Sequence, residues 1–217
     1  MNKELYIGVD LAWSPINVSG ISILENNTIV ESFVIEGIDK VIDVIKKYPN
    51  AIVGVDAPLV VENENGNRKV EIEFLKDYSS KKLGVYPVNR KLLTKYHEVI
   101  PGEKLNASIS QTLGKDLFEV YPHATIMNCF HGRVLPYKRK KGRDTAFIKT
   151  QIKILENYLS EKLNGEFKED LENLRGLKLK HYEDKLDSLV CAYTLYHCKN
   201  YDFNLYEKIL KIPMGCR

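Results

Sequence analysis

Two apolar runs, YIGVD at residues 6–10 and AIVGVD at residues 51–56, each end on an aspartate that follows a glycine by two positions. Runs this short and this apolar read as strands buried on both faces, which requires helices on either side of a sheet. Between them lie two further strands, VSGISIL (18–24) and TIVESFVI (28–35), joined by the polar turn Glu25-Asn26-Asn27. Ile38, Val41, Ile42 and Ile45 then recur at helical spacing, and Tyr48-Pro49-Asn50 stops that helix. A helical crossover makes the second GVD strand parallel to an earlier one. If that neighbour is the first strand, the sheet order reverses between them. Asp10 and Asp56 then face the crevice where α/β sheets hold ligands.

The rest of the chain completes a single α/β domain over residues 1–217, with a mixed five-stranded sheet flanked by helices. With 217 residues and 44% hydrophobic content, the chain is large enough for one full core. Residues 59–115 read as a helical insertion, with short helices expected at 68–78, 89–98 and 104–112. DLFEVY (116–121) is the fifth strand and carries Glu119. Phe147, Ile148, Ile152, Leu155, Leu159 and Leu163 form an amphipathic stripe, and a last helix is expected from Tyr182 to Cys198.

The acids concentrate the chemistry. Tyr6, Gly8 and Asp10 share a strand face, and a glycine there leaves room for a metal or phosphate beside the carboxylate. The simpler alternative is that each aspartate ends its strand and caps the next loop or helix. In the last helix Asp184 and Asp187 lie three apart on a stripe that leads to Cys191; Asp184 is expected as the N-cap and Asp187 as the acid that faces the site. Two carboxylates 4 Å apart at an effective dielectric near 20 repel by about 4 kcal/mol. Asp10, Asp56, Glu119, Asp184 and Asp187 in one crevice therefore call for a cation. All-oxygen donors suit Mg²⁺ or Mn²⁺, and two such ions about 3.5–4 Å apart hydrolyse phosphodiesters.

Net charge is only +3, but RVLPYKRKKGR (133–143) holds six Lys or Arg and no acid. Lys138, Arg139, Lys140 and Lys141 are therefore expected to meet a polyanion such as nucleic acid. Tyr137 is the loop's one aromatic, which gives no sign of stacking on single strands. Arg68 is a candidate phosphate ligand or a solvated helix start, and His123 a candidate proton donor or a structural histidine. The four cysteines form no C-x-x-C pair, no basic-then-apolar leader precedes the first strand, and no run spans a membrane. A cytoplasmic setting is expected.

GVDLAW, GVDAPL, EVYPHA and DKLDSLVCAYTLY together resemble family 429 of the domains of unknown function, grouped as predicted nucleases of the ribonuclease H-like fold. The likeness covers nearly the whole chain. It implies that Asp10 bridges the metals, that Asp56 is its partner from the adjacent strand, and that Asp184 or Asp187 closes the site, with Asp10, Asp56 and Asp187 expected as metal ligands. Glu119 is carried over from EVYPHA. The alternative is a non-catalytic nucleic-acid-binding protein on the same fold. Actin-like kinases are disfavoured, because Leu11-Ala12-Trp13 follow Asp10 where those enzymes place Gly and a hydroxyl residue.

Overall fold

The structure is a computed structural model that describes residues 3–215; Cys216 lies outside the described residues. Strands β1 (Leu5–Asp10), β2 (Val18–Glu25) and β3 (Thr28–Glu36) form an antiparallel meander, turned at Asn26 with φ 54°. Asparagine tolerates that left-handed conformation better than most residues. Helix α1 (Ile38–Lys46) buries Ile38, Val41, Ile42 and Ile45. It returns the chain to β4 (Ile52–Val55), which runs parallel to β1 with Gly8 opposite Gly54.

The long connection after β4 carries α2 (Lys69–Tyr78), a one-turn α3 (Arg90–Leu93) and α4 (Pro101–Ser108). Strand β5 (Leu117–Glu119) then adds parallel to β4. Next come α5 (Pro122–Ile126), a π-helical turn at Met127–His131, and the long helices α6 (Thr145–Lys162) and α7 (Gly176–Asn200). The chain closes with the hairpin β6 (Phe203–Tyr206) and β7 (Leu210–Pro213).

The sheet therefore has seven strands, in the order β3-β2-β1-β4-β5-β7-β6, not the five expected. The extra hairpin is sealed by Glu207 and Lys208, both at positive φ. That is the geometry usually signalled by Asn-Gly or Asp-Gly, and neither pair stands there.

Alternation along β1 divides the core. Ile7 and Val9 pack with Val53, Val55 and α1 on one face, whereas Tyr6 joins Phe118, α6 and α7 on the other. Each fully buried Ile or Val contributes about 1.5–3 kcal/mol.

The glycines before the acids serve helix α7. A Cβ at Gly8 would lie 2.1 Å from the Ser188 carbonyl oxygen, one at Gly20 would lie 2.1 Å from that of Asp184, and one at Gly54 would meet Leu195 at 3.0 Å. The space expected for a metal or phosphate is filled by the helix backbone. Buried hydroxyls tighten the same seam, with Ser22 Oγ 2.6 Å from Ser188 Oγ. Among the described residues no helix is long and apolar enough to cross a membrane.

Candidate active site

Asp10 closes β1, and Asp56 follows β4 with its amide donating to the Val9 carbonyl at 2.8 Å. The parallel ladder thus sets the two acids side by side. Gly20 is the cross-strand partner of Asp10, so the α7 backbone that rests on Gly20 brings Asp184 to the same place. Asp10, Asp56, Glu119 and Asp184 all line one cleft of about 890 Å³. Asp10 and Asp56 open to that cleft and otherwise have protein around them, so they are desolvated without being sealed.

Asp187 lies one turn further along α7 and is fully buried. Tyr137 donates its hydroxyl proton to Asp187 Oδ1, and the Lys138 ammonium pairs with Oδ2. Lys138 also faces Asp10 and Asp56, and this cluster holds its ammonium well above the usual lysine range against the opposing effect of burial. Burial raises the Asp10 carboxyl well above the ordinary range; Lys138 opposes that rise, and Asp187, Asp56 and Asp184 add to it. Asp56 is pushed up to about 7, again chiefly by burial.

Asp184 is not an N-cap. Helix α7 starts eight residues earlier at Gly176, and Asp184 instead pairs with Lys180 one turn back. The first turns are mostly polar and leave Leu177 exposed, although Leu179 and Tyr182 are already buried there.

Glu119 and Arg68 satisfy each other. Arg68 Nη1 and Nη2 donate to Glu119 Oε1 and Oε2, each at 2.7 Å, and the Leu59 amide donates to Oε1 at 2.7 Å. Arg68 Nε also donates to Glu71 Oε1 at 3.0 Å. A guanidinium forked onto one carboxylate and bound to a second is held rigidly and has little left for a phosphate. His123 lines the cleft with Nδ1 buried and unpartnered, and burial lowers it to about 4, so the ring is neutral at physiological pH.

The basic loop divides in two. Leu135 and Tyr137 are fully buried and Lys138 turns inward, whereas Arg139, Lys140 and Lys141 are exposed. Tyr137, a surface aromatic by its sequence context, is instead a buried hydroxyl donor. Sequence reasoning also passes over Trp13, Tyr86, Tyr121, Lys180 and His181, which line the cleft. Position gives a signal for two of them: Trp13 stands three residues after Asp10, and Lys180 one helical turn before Asp184.

Among the described residues no three His, Cys, Asp or Glu side chains stand grouped around a ready metal position. The Lys138 ammonium faces Asp10, Asp56 and Asp187, and Lys180 pairs with Asp184. The donor set is nonetheless of the hard-oxygen kind that Mg²⁺ and Mn²⁺ take. Among the described residues Lys138 pairs with Asp187 and Lys180 with Asp184, while Asp10 and Asp56 have no ion pair of their own and are raised by burial.

Comparison with the curated proteins and with the solved structures returned no match. A family model does match, over residues 8–199, and this span holds all four aspartates, the basic loop and helix α7. The chain belongs to the family described as protein of unknown function (DUF429).

Proposed function

We propose that the chain is a metal-dependent phosphodiesterase acting on nucleic acid, built on a ribonuclease H-like sheet with a β6–β7 hairpin added at one edge. One observation carries the reading: Asp10, Asp56 and Asp184 arrive at one cleft from two parallel strand ends and a helix. Asp10, Asp56 and Asp184 would hold Mg²⁺ or Mn²⁺, with Asp187 holding Lys138 in position. When bound, the metal supplies Lewis-acid stabilisation of phosphoryl charge and an activated water.

The other roles belong to the chain. Lys138 offers positive charge to a scissile phosphate or its leaving oxygen. Neutral His123 is able to accept or donate a hydrogen bond at the cleft wall. Asp56, at about 7 without a metal, would give up its proton to hold one, so metal binding should strengthen as pH rises through that value. Arg139, Lys140 and Lys141 extend the anion-attracting surface.

A second reading, a non-catalytic nucleic-acid-binding protein on the same fold, draws support from Lys138 standing among the acids and from the Arg68–Glu119 pair. Incubation of a labelled oligonucleotide with wild type and Asp10→Asn, each with and without Mn²⁺, separates the two. Cleavage by wild type only with Mn²⁺, reduced at least about 100-fold in a folded Asp10→Asn protein, is the expected result. Binding without cleavage under every condition favours the second reading. Equal cleavage by the variant removes Asp10 from the site.

A further inference from the structure

The chain has one tryptophan, and its ring is 48% exposed at the cleft mouth rather than in the core. Beside it stands Tyr86, 80% exposed. The two rings meet edge to face, with centroids 6.3 Å apart at 79°, and both line the same cleft as Asp10 and Asp56. We infer that Trp13 and Tyr86 form a stacking platform for the base of an unpaired nucleotide, so that the cleft takes single-stranded rather than duplex nucleic acid. This rests on the nucleic-acid reading above and specifies its substrate.

The pair is held in place on both sides. Ser14 Oγ, next to Trp13, is 3.1 Å from His97 Nε2. The Gly84 carbonyl, two residues before Tyr86, accepts from the Tyr121 hydroxyl at 2.8 Å. Rings presented from anchored loops lose little freedom when a ligand stacks on them. An edge-to-face pair also leaves π-faces open for offset stacking by a third ring. Other large hydrophobics are exposed singly, as is ordinary, whereas these two rings touch each other at the cleft that holds the acids.

With a divalent ion on the acids, and with Arg139, Lys140 and Lys141 exposed on the Lys138 loop, the cleft suits an occupant that combines an aromatic ring with negative charge. A nucleotide unites the two. In a duplex the base faces are already stacked on one another, so only an unpaired base has a free face to offer. The platform's aromatics lie far in sequence from the basic loop, and for that reason the loop's own composition gives no sign of stacking.

The single tryptophan makes the test direct. With Ca²⁺ in place of Mg²⁺ or Mn²⁺, to occupy the acids while slowing cleavage, the whole protein is titrated with oligothymidylate and with a duplex of equal length. Tryptophan emission reports the platform, and anisotropy of a labelled oligonucleotide reports binding itself. Oligothymidylate is expected to quench the emission by about half and to bind about tenfold more tightly than the duplex. Trp13→Ala should weaken oligothymidylate about tenfold, and Trp13→Phe should restore most of it. Tyr86→Ala, which keeps the fluorophore, should weaken it similarly and guards against misfolding of the first variant. Tight binding with unmoved emission, equal affinity for the duplex, or unchanged affinity in Trp13→Ala and Tyr86→Ala overturns the platform and leaves the nucleic-acid reading standing. Thymidine 5′-monophosphate binding as tightly as the oligomer overturns the polymer substrate. No binding of either nucleic acid at low salt removes both readings.

Discussion

Replacing Lys138 with methionine removes the ammonium that faces Asp10, Asp56 and Asp187 while keeping a side chain of similar reach. Removing one partner of a fully buried ion pair costs about 3–5 kcal/mol. The Lys138 side chain is 33% exposed, so water reaches part of it and the expected loss at pH 8 is about 2 kcal/mol. For a chain of this length that corresponds to about 4–8 °C in Tm. The loss should depend on pH in a fixed direction. Burial raises Asp10 and takes Asp56 to about 7, above the value of about 3.9 for an unfolded aspartate. A carboxyl raised on folding contributes stability that is fully present below about pH 4 and is lost as pH climbs through the folded value. Without Lys138 those folded values rise further, so ionisation at pH 8 is penalised more. At pH 5 Asp56 takes up its proton and the effect of Lys138→Met shrinks. Urea unfolding at pH 5 and pH 8 measures both losses. Equal losses at the two pH values, or a variant as stable as wild type at pH 8, would refute the claim that Lys138 neutralises this cluster. Mg²⁺ should stabilise the variant more than wild type, the variant gaining about 2.7 kcal/mol in all at a hundredfold excess over its Kd.

The same geometry sets two further outcomes. Asp184→Asn should weaken Mn²⁺ binding at least about tenfold by isothermal titration, because Asp184 lines the cleft with Asp10 instead of capping α7; unchanged affinity would place the metal away from this helix. Changing Arg139, Lys140 and Lys141 to Ser should lower the log-log salt slope of single-strand binding by about 2, at about 0.7 per lost phosphate contact; an unaltered slope would mean these side chains are only solvated surface.

The features legible in the sequence are those that repeat over short spans. The meander, α1 and the parallel partnership of β1 with β4 come from apolar runs and one crossover helix, and they put Asp10 beside Asp56 without further information. Local chemistry misleads where tertiary packing decides. The first turns of α7 bury Leu179 and Tyr182 but surround them with Lys178, Lys180 and an exposed Leu177, and this polar context makes an internal aspartate look like a cap. The β6–β7 turn uses Glu207 and Lys208 where a turn glycine would have been recognisable. The expected helix at 89–98 shrinks to Arg90–Leu93, since Leu92, Tyr96 and Val99 stay exposed and no buried stripe sustains it. Lys138 reads with its neighbours as one basic run. Only the alternation of Leu135 and Tyr137 just before it hints that this part of the loop faces inward.

Helix α7 rests on Gly8 and Gly20 of the opening hairpin, and the hydroxyl contact that joins them, Ser22 to Ser188, closes 166 residues of sequence. During synthesis the meander emerges long before α7, and the face carrying Tyr6, Gly8 and Asp10 is not fully covered until that helix leaves the ribosome. A nascent chain thus holds a folded hairpin with an open glycine seam, which an incoming helix backbone has to enter at a separation only glycine permits. Such long-range closure is slow and leaves apolar surface exposed while it waits. Its counterpart is temporal control: Asp184 and Asp187 cannot join Asp10 before α7 is made, so no truncated product carries the assembled acid cluster.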